Sequence, residues 1–205
     1  MILTTFVEPP LDNNNYLLID ESAKEAVLFD CSCYDEKIVE LLKSKGVSLK
    51  YILLTHAHFD HILGIEKMVE ATGAKVVLHK DDENLLNNLN SYGFMLGLPE
   101  VNIPKVDLFV TEDEILTIGS LEIKALHTPG HTLGGVSYFV GNMLFSGDTL
   151  FQESVGRTDL EGGSFETLEE SIRNKLFTLP EDVTVYPGHG PMTTVGHEKK
   201  YNSYI

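Results

Sequence analysis

Thr55–His61 reads T-H-A-H-F-D-H and follows directly on the apolar run Leu49–Leu54. Three of the eight histidines and one aspartate fall inside six residues there: His56, His58, Asp60 and His61. A surface loop holds one histidine by chance. Four ligand-type side chains crowded into one turn after a buried strand point to a metal. In extended chain, alternate side chains share a face, so His56 and His58 can chelate one ion. Asp60 and His61 lie beyond the turn, within reach of a second. Imidazole and carboxylate without thiolate suit zinc, iron or manganese rather than a soft metal.

Three further candidates lie downstream. His131 sits in H-T-P-G-H-T, Asp148 in F-S-G-D-T and His189 in Y-P-G-H-G. Each follows an apolar strand-like run and is flanked by Gly or Pro, so a tight turn places it. With the first cluster they make seven ligands, the number two metals need when they share one bridging carboxylate.

The surrounding pattern predicts the framework. Ile2–Val7, Tyr16–Asp20, Glu25–Asp30, Leu49–Leu54 and Lys75–His79 read as strands, with Pro9–Pro10 and the Asn13–Asn15 run breaking the first two apart. Tyr34–Lys45, stopped by Gly46, and Gly64–Ala71, stopped by Gly73, read as helices. Asp81–Leu89 reads as a polar helix and Asn90–Asp107 as a long irregular loop. The second half repeats the style. Glu114–Ile118, Leu121–His127, Val136–Val140, Met143–Ser146 and Val183–Tyr186 are strand candidates. Glu166–Phe177 is an amphipathic helix, and a short helix follows Gly196. Two runs of strands, each followed by helices, predict two sheets packed face to face with helices outside.

Composition narrows the function. The 205 residues predict one domain. Lys plus Arg is 15 against 31 for Asp plus Glu, a formal charge of −16. Such a surface repels phosphate backbones, so neither a nucleic-acid nor an anionic-membrane partner is expected. No apolar run is long enough to span a bilayer, and the start MILTTFVEPPLDNNN has no signal-peptide pattern. A cytoplasmic protein is expected, with Cys31 and Cys33 as reduced thiols.

In their order, from Asn14 to His189, these motifs resemble the metallo-β-lactamase superfamily. The resemblance implies an α+β fold: an αββα sandwich of two mixed sheets with the metals at one sheet edge. It implies His56, His58 and His131 on one ion, Asp60, His61 and His189 on the other, and Asp148 bridging. The chain departs from class B1 β-lactamases, which carry Arg at the His61 position and Cys at the Asp148 position. HTPGHT, SGDTLF, GRTD followed by GG, and YPGHGP resemble glyoxalase II (hydroxyacylglutathione hydrolase), most of all its small single-domain bacterial members. That implies two divalent ions, zinc first with iron and manganese as alternatives. The implied reaction is attack of a metal-bridging hydroxide, oriented by Asp60, on an acyl thioester such as S-lactoylglutathione. Full-length glyoxalase II adds a C-terminal helical domain that holds glutathione, and none is expected here.

That group also has a Lys and a Tyr in the loop after the bridging Asp. Here the loop reads SVGRTDLEGG, so Arg157 stands for the Lys and Asp159 for the Tyr. Arg157 is the candidate substrate residue: it either clamps a substrate carboxylate or pairs with Asp159 to fix the loop. Tyr186, Phe59, Phe151 and Tyr92 are candidate pocket aromatics, and His127 a candidate to orient a ligand. Two alternatives share the ligands. One is a lactone hydrolase. The other resembles persulfide dioxygenases, which hold one iron at the positions of His56, His131 and Asp148. Those enzymes have Ala–His–Asp where this chain has Gly188–His189–Gly190, so here the second metal position is intact.

Overall fold

Strand alternation decides where each layer packs. The computed structural model describes residues 1–95 and 100–205, with the side chains of residues 92, 93 and 95 also outside the description. β1 (Ile2–Glu8), β2 (Asn13–Asp20) and β3 (Glu25–Phe29) form an antiparallel meander. α1 (Glu36–Lys45) crosses to β4 (Ser48–Leu53), and α2 (Ile65–Thr72) to β5 (Lys75–His79). A 3-10 turn, Lys80–Asp82, leads into α3 (Glu83–Asn87) and α4 (Leu89–Met95); β6 (Leu108–Val110) comes later. β3 to β6 run parallel, and the first sheet has the order β1-β2-β3-β4-β5-β6.

β7 (Ile115–Ile118), β8 (Leu121–His127), β9 (Val136–Val140) and β10 (Met143–Gly147) form a second antiparallel meander. β11 (Leu150–Phe151) and β12 (Ser154–Val155) make a small hairpin. α5 (Phe165–Asn174) returns the chain to β13 (Thr184–Pro187), parallel to β10. β14 (Thr193–Thr194) and α6 (Val195–Tyr201) follow, giving the order β14-β13-β10-β9-β8-β7.

Each strand feeds two cores because its side chains alternate. In β2, Tyr16 and Leu18 face the second sheet, while Leu17 and Ile19 face the helices. Between the sheets the Phe29 ring stacks on Phe145 at 3.8 Å. Ile38, Leu42, Ile65 and Met68 from α1 and α2 cover the outer face of the first sheet. Leu168 and Ile172 from α5 cover that of the second. This is the expected αββα sandwich. Local chemistry sets the helix ends: Asp35 caps α1 by accepting from Lys37 N at 2.9 Å, and Gly46 closes it at φ 61°.

Four expectations need correction. Asn13–Asn15 does not break the chain but opens β2, fully buried. Its amides are used: Asn14 Nδ2 donates to Pro187 O and Gly190 O, and Asn15 Oδ1 accepts from Ser32 N. Asp81–Leu89 is not one helix, because the Asp82 side chain turns inward to accept three hydrogen bonds, from Ala57 N, Thr132 Oγ1 and Gly134 N. The expected loop Asn90–Asp107 begins as α4, and its residues 96–99 lie outside the described residues. The helix expected to reach Phe177 ends at Asn174 and passes into a 3-10 turn at Leu176–Thr178. Among the described residues no helix is long and apolar enough to cross a membrane.

Candidate metal centre

The four ligand-bearing segments leave the C-terminal ends of four strands. The segment with His56, His58, Asp60 and His61 follows β4 of the first sheet. His131 follows β8, Asp148 follows β10 and His189 follows β13, all of the second. The cross-sheet packing brings all seven side chains to one edge of the sandwich, in two overlapping groups. In one, His131 Nε2 lies 3.2 Å from His56 Nε2 and 2.9 Å from His58 Nδ1. In the other, Asp60 Oδ2 lies 3.6 Å from His61 Nε2 and 3.4 Å from His189 Nε2. Asp148 sits between them. Its Oδ1 is 3.5 Å from His61 Nε2, and its Oδ2 is 3.6 Å from both His131 Nε2 and His189 Nε2.

Outer partners fix which nitrogen each imidazole offers. His131 Nδ1 donates to Arg157 O at 2.7 Å and His189 Nδ1 to Leu11 O at 3.1 Å, since a carbonyl only accepts. His61 Nδ1 donates to Asp30 Oδ2 at 2.9 Å. Thr55 Oγ1 spends its proton on Asp30 Oδ2, so His56 Nδ1 donates to Thr55 Oγ1 at 3.1 Å. In the neutral rings, all four Nε2 lone pairs then point inward. Such outer bonds are how proteins set metal-binding histidines.

These residues fit a cation. His61 Nε2 and Asp148 Oδ1 are buried with no hydrogen-bond partner among the described atoms. The Nε2 lone pairs of His56 and His131 face each other at 3.2 Å, an arrangement that a positive charge between them relieves. Ligands on a tetrahedral ion at zinc-like bond lengths stand about 3.3 Å apart. The observed 2.9–3.6 Å separations within and between the groups bracket that spacing.

The electrostatics say the same. Burial drives the His56 imidazole well below its usual pKa, helped by its imidazole neighbours, and pushes His58 down to about 3. Both rings stay neutral, as ligands must. Burial opposes charge on His61 too, yet the carboxylates of Asp30, Asp148 and Asp60 outweigh it and push the ring up to about 10. Burial also opposes ionisation of Asp60. The His189 hydrogen bond, the His61 charge and Asn13 overcome it and hold Asp60 well below the usual carboxylate range. A proton on His61 is the nearest available substitute for a bound cation.

Sequence reasoning missed the supports. Asp30 joins Thr55 to His61, and Asn13 Nδ2 donates to Asp60 Oδ2 at 3.3 Å. Asp82 ties the His56–His58 segment to the His131 loop. Gly188 leaves room for the centre, since a Cβ there would stand 2.3 Å from Asp148 Oδ1 and 2.9 Å from His61 Cε1. For Gly188 the signal was visible in YPGHG; Asp30 and Asn13 gave none that singles them out.

The other candidates fall as follows. Arg157 borders the site, but its guanidinium donates twice to Asp159, at 2.8 and 2.9 Å, which is the bracing geometry. Phe59 and Phe151 line the cavity above the centre. Tyr186 packs instead against Tyr16 and Phe145 in the inter-sheet core. The Tyr92 side chain lies outside the described residues. His127 stacks on His79 and bonds Leu133 O, so it meets the site only through the loop that carries His131. Cys31 and Cys33 are both free. Burial raises both thiols, Cys33 to about 12 with help from Glu8.

The chain is 42% identical over 200 residues to the probable metallo-hydrolase YqgX of Bacillus subtilis (strain 168), covering 96% of this chain and 93% of that one. It is 34% identical to the hydroxyacylglutathione hydrolase GloC of Haemophilus influenzae, covering 93% and 92%. The crystal structure of the BLEG-1 B3 metallo-beta-lactamase superposes with a TM-score of 0.90 at 39% identity, covering 99% of both chains. That of TTHA1623 in a di-iron-bound form gives 0.86 at 36% identity, covering 98% of this chain and 100% of the other. The metallo-beta-lactamase superfamily model matches residues 9–189, which takes in every candidate ligand, and the chain belongs to that superfamily.

Proposed function

We propose that the chain is a dinuclear metal hydrolase that cleaves an acyl thioester, as glyoxalase II does. One observation carries the reading: two convergent donor triads with the two oxygens of Asp148 between them. His56, His58 and His131 would hold one ion, Asp60, His61 and His189 the other, and Asp148 would bridge. The likeness to GloC supports the reaction, and that to a di-iron protein supports the ion count. Divalent ions held there would supply Lewis acidity and bring the pKa of water toward neutrality. Zinc is the first choice; the same donors accept iron and manganese.

The chain's own residues do the rest. Asp60 stays ionised and lines the cavity floor, where it accepts a hydrogen bond from the attacking water and orients its oxygen. Phe59 and Phe151 shield the reacting carbonyl from bulk water. Water adds its oxygen to the acyl carbon, the carbon–sulfur bond breaks, and the thiol leaves with the proton. The Asp60–His61–His189 triad favours this over a one-iron oxygenase built on His56, His131 and Asp148.

The test is steady-state loss of thioester absorbance on metal-loaded protein, with S-lactoylglutathione and simple acyl thioesters as substrates. A kcat/KM of roughly 10⁴ M⁻¹s⁻¹ or more on any of them supports the reading. Absence of thioester hydrolysis in protein that carries two metals per chain overturns it.

A further inference from the structure

The cavity over the centre has a volume of about 580 Å³ and is greasy. His58, Asp60, His131, Asp148 and His189 form its floor. Apart from Phe59 and the hydroxyl of Ser154, its uncharged walls are Leu11, Leu85, Leu89, Phe151, Val155 and Leu160, drawn from the start of the chain, α3, α4, the β11–β12 hairpin and the loop after it. Beyond the floor, the charged residues of the described lining are Arg157 and Glu161. Arg157 spends two donors on its neighbour Asp159, and Glu161 is itself an anion.

Glutathione carries two carboxylates and one ammonium at neutral pH. A site built for it offers cations or aligned donors to those carboxylates, because an unpaired charge pressed against leucine loses its hydration. The described walls offer one hydroxyl, on Ser154, and no cation except the Arg157 guanidinium that Asp159 already holds, while the chain's formal charge of −16 repels a net anion. An aliphatic chain loses nothing there and gains by leaving water.

Resting on the thioester reading above, we infer that the substrate's acyl group is an apolar aliphatic chain, and that its thiol carries no net charge. Leu85, Leu89 and Leu160 receive the acyl chain, with its carbonyl at the floor beside Asp60. Water supplies the oxygen of the fatty-acid product, and the sulfur departs as the neutral thiol.

A two-by-two substrate set tests this on metal-loaded protein: lactoyl and hexanoyl thioesters, each of glutathione and of N-acetylcysteamine. Hexanoyl is expected to exceed lactoyl on either thiol by tenfold or more in kcat/KM. In an acetyl-to-hexanoyl series the rise should be roughly fourfold per methylene. Leu160→Gln, at a residue 38% exposed, should reduce the hexanoyl-to-acetyl ratio several-fold. S-lactoylglutathione as the best of the four, a flat chain-length series, or a glutathione thioester cleaved faster than its N-acetylcysteamine counterpart overturns the inference. A second readout needs no turnover: calorimetric binding of hexanoate and of lactate. If no thioester is cleaved yet hexanoate binds at least tenfold tighter than lactate, the hydrolase reading falls and the apolar pocket stands. If lactate binds as well as hexanoate, the pocket assignment falls whatever the thioesters do.

Discussion

At the scale of single residues, the centre depends on side chains that carry charge and on others that aim them. Asp148 does the first: its two oxygens face histidines of both groups. Asp148→Ala should remove both metals and abolish activity. Elemental analysis after dialysis reads this directly, and retention of two ions per chain would refute the bridging role. Asp30 does the second, through His61 Nδ1 and Thr55. In Asp30→Asn one amide end must still accept from Thr55 N, which turns the NH₂ toward His61. His61 Nδ1 then has to accept, so its proton moves to Nε2 and blocks the inward lone pair. Metal affinity should fall about 10–100-fold. Titration against a competing chelator measures it, and unchanged affinity would show that Asp30 does not set the ring. The ligands were legible because H-x-H-x-D-H and the Gly- and Pro-flanked residues are local patterns. Asp30 and Asn13 were not, because their partners lie 31 and 47 residues away and nothing local marks them.

Elements were legible where they were long enough to show a period. β8 and β9 fell where alternation put them, and α1 and α2 ended at their predicted glycines. β6, β11, β12 and β14 span two or three residues, too few for a period, and went unseen. The Asn13–Asn15 run misled for another reason: a buried strand can carry amides if the neighbouring backbone uses them. A prediction at this scale concerns the end of the sandwich away from the centre. There Asp20 closes β2, accepting from Ser22 and Ala23, and also from Ser120 in the β7–β8 turn. Those hydrogen bonds, Ser22 first, hold its carboxyl below the usual range. A carboxylate with a lowered folded pKa stabilises the fold above its unfolded pKa, about 3.9, and loses that contribution as pH falls below it. Asp20→Ala should therefore melt lower than the parent at pH 7, and the gap should narrow below about pH 4. Thermal scans from pH 7 to pH 3 decide it. A gap independent of pH would mean that the contribution is packing rather than charge.

The whole molecule ties stability to the centre. The His56–His61 segment comes from the first sheet, while His131, Asp148 and His189 come from the second. Composition and period predicted two sheets but not which strand ends would meet. That follows from the parallel crossover of β13 onto β10 and from Asn14, whose N–H donates to Gly188 O across the sheets at 2.8 Å. Ions bound at this edge therefore cross-link the two sheets. Without them, Asp148 crowds the buried Asp30 and Asp60 at one corner, and His61 must take up a proton to compensate. A ligand that binds only the folded state adds about 2.7 kcal/mol at a hundred times its Kd. For a chain of this size each kcal/mol moves Tm by about 2–4 °C. Chelation should therefore lower Tm by about 5–10 °C or more, in one cooperative transition that shifts as a unit because both sheets lose the same cross-link. Scanning calorimetry on metal-loaded and chelated protein, with metal content assayed on both, measures the shift. If the ions leave and Tm does not move, the site is a passenger on a sandwich that packing alone holds shut. A split into two transitions would mean that the ions, rather than the inter-sheet core around Phe29 and Phe145, couple the two sheets.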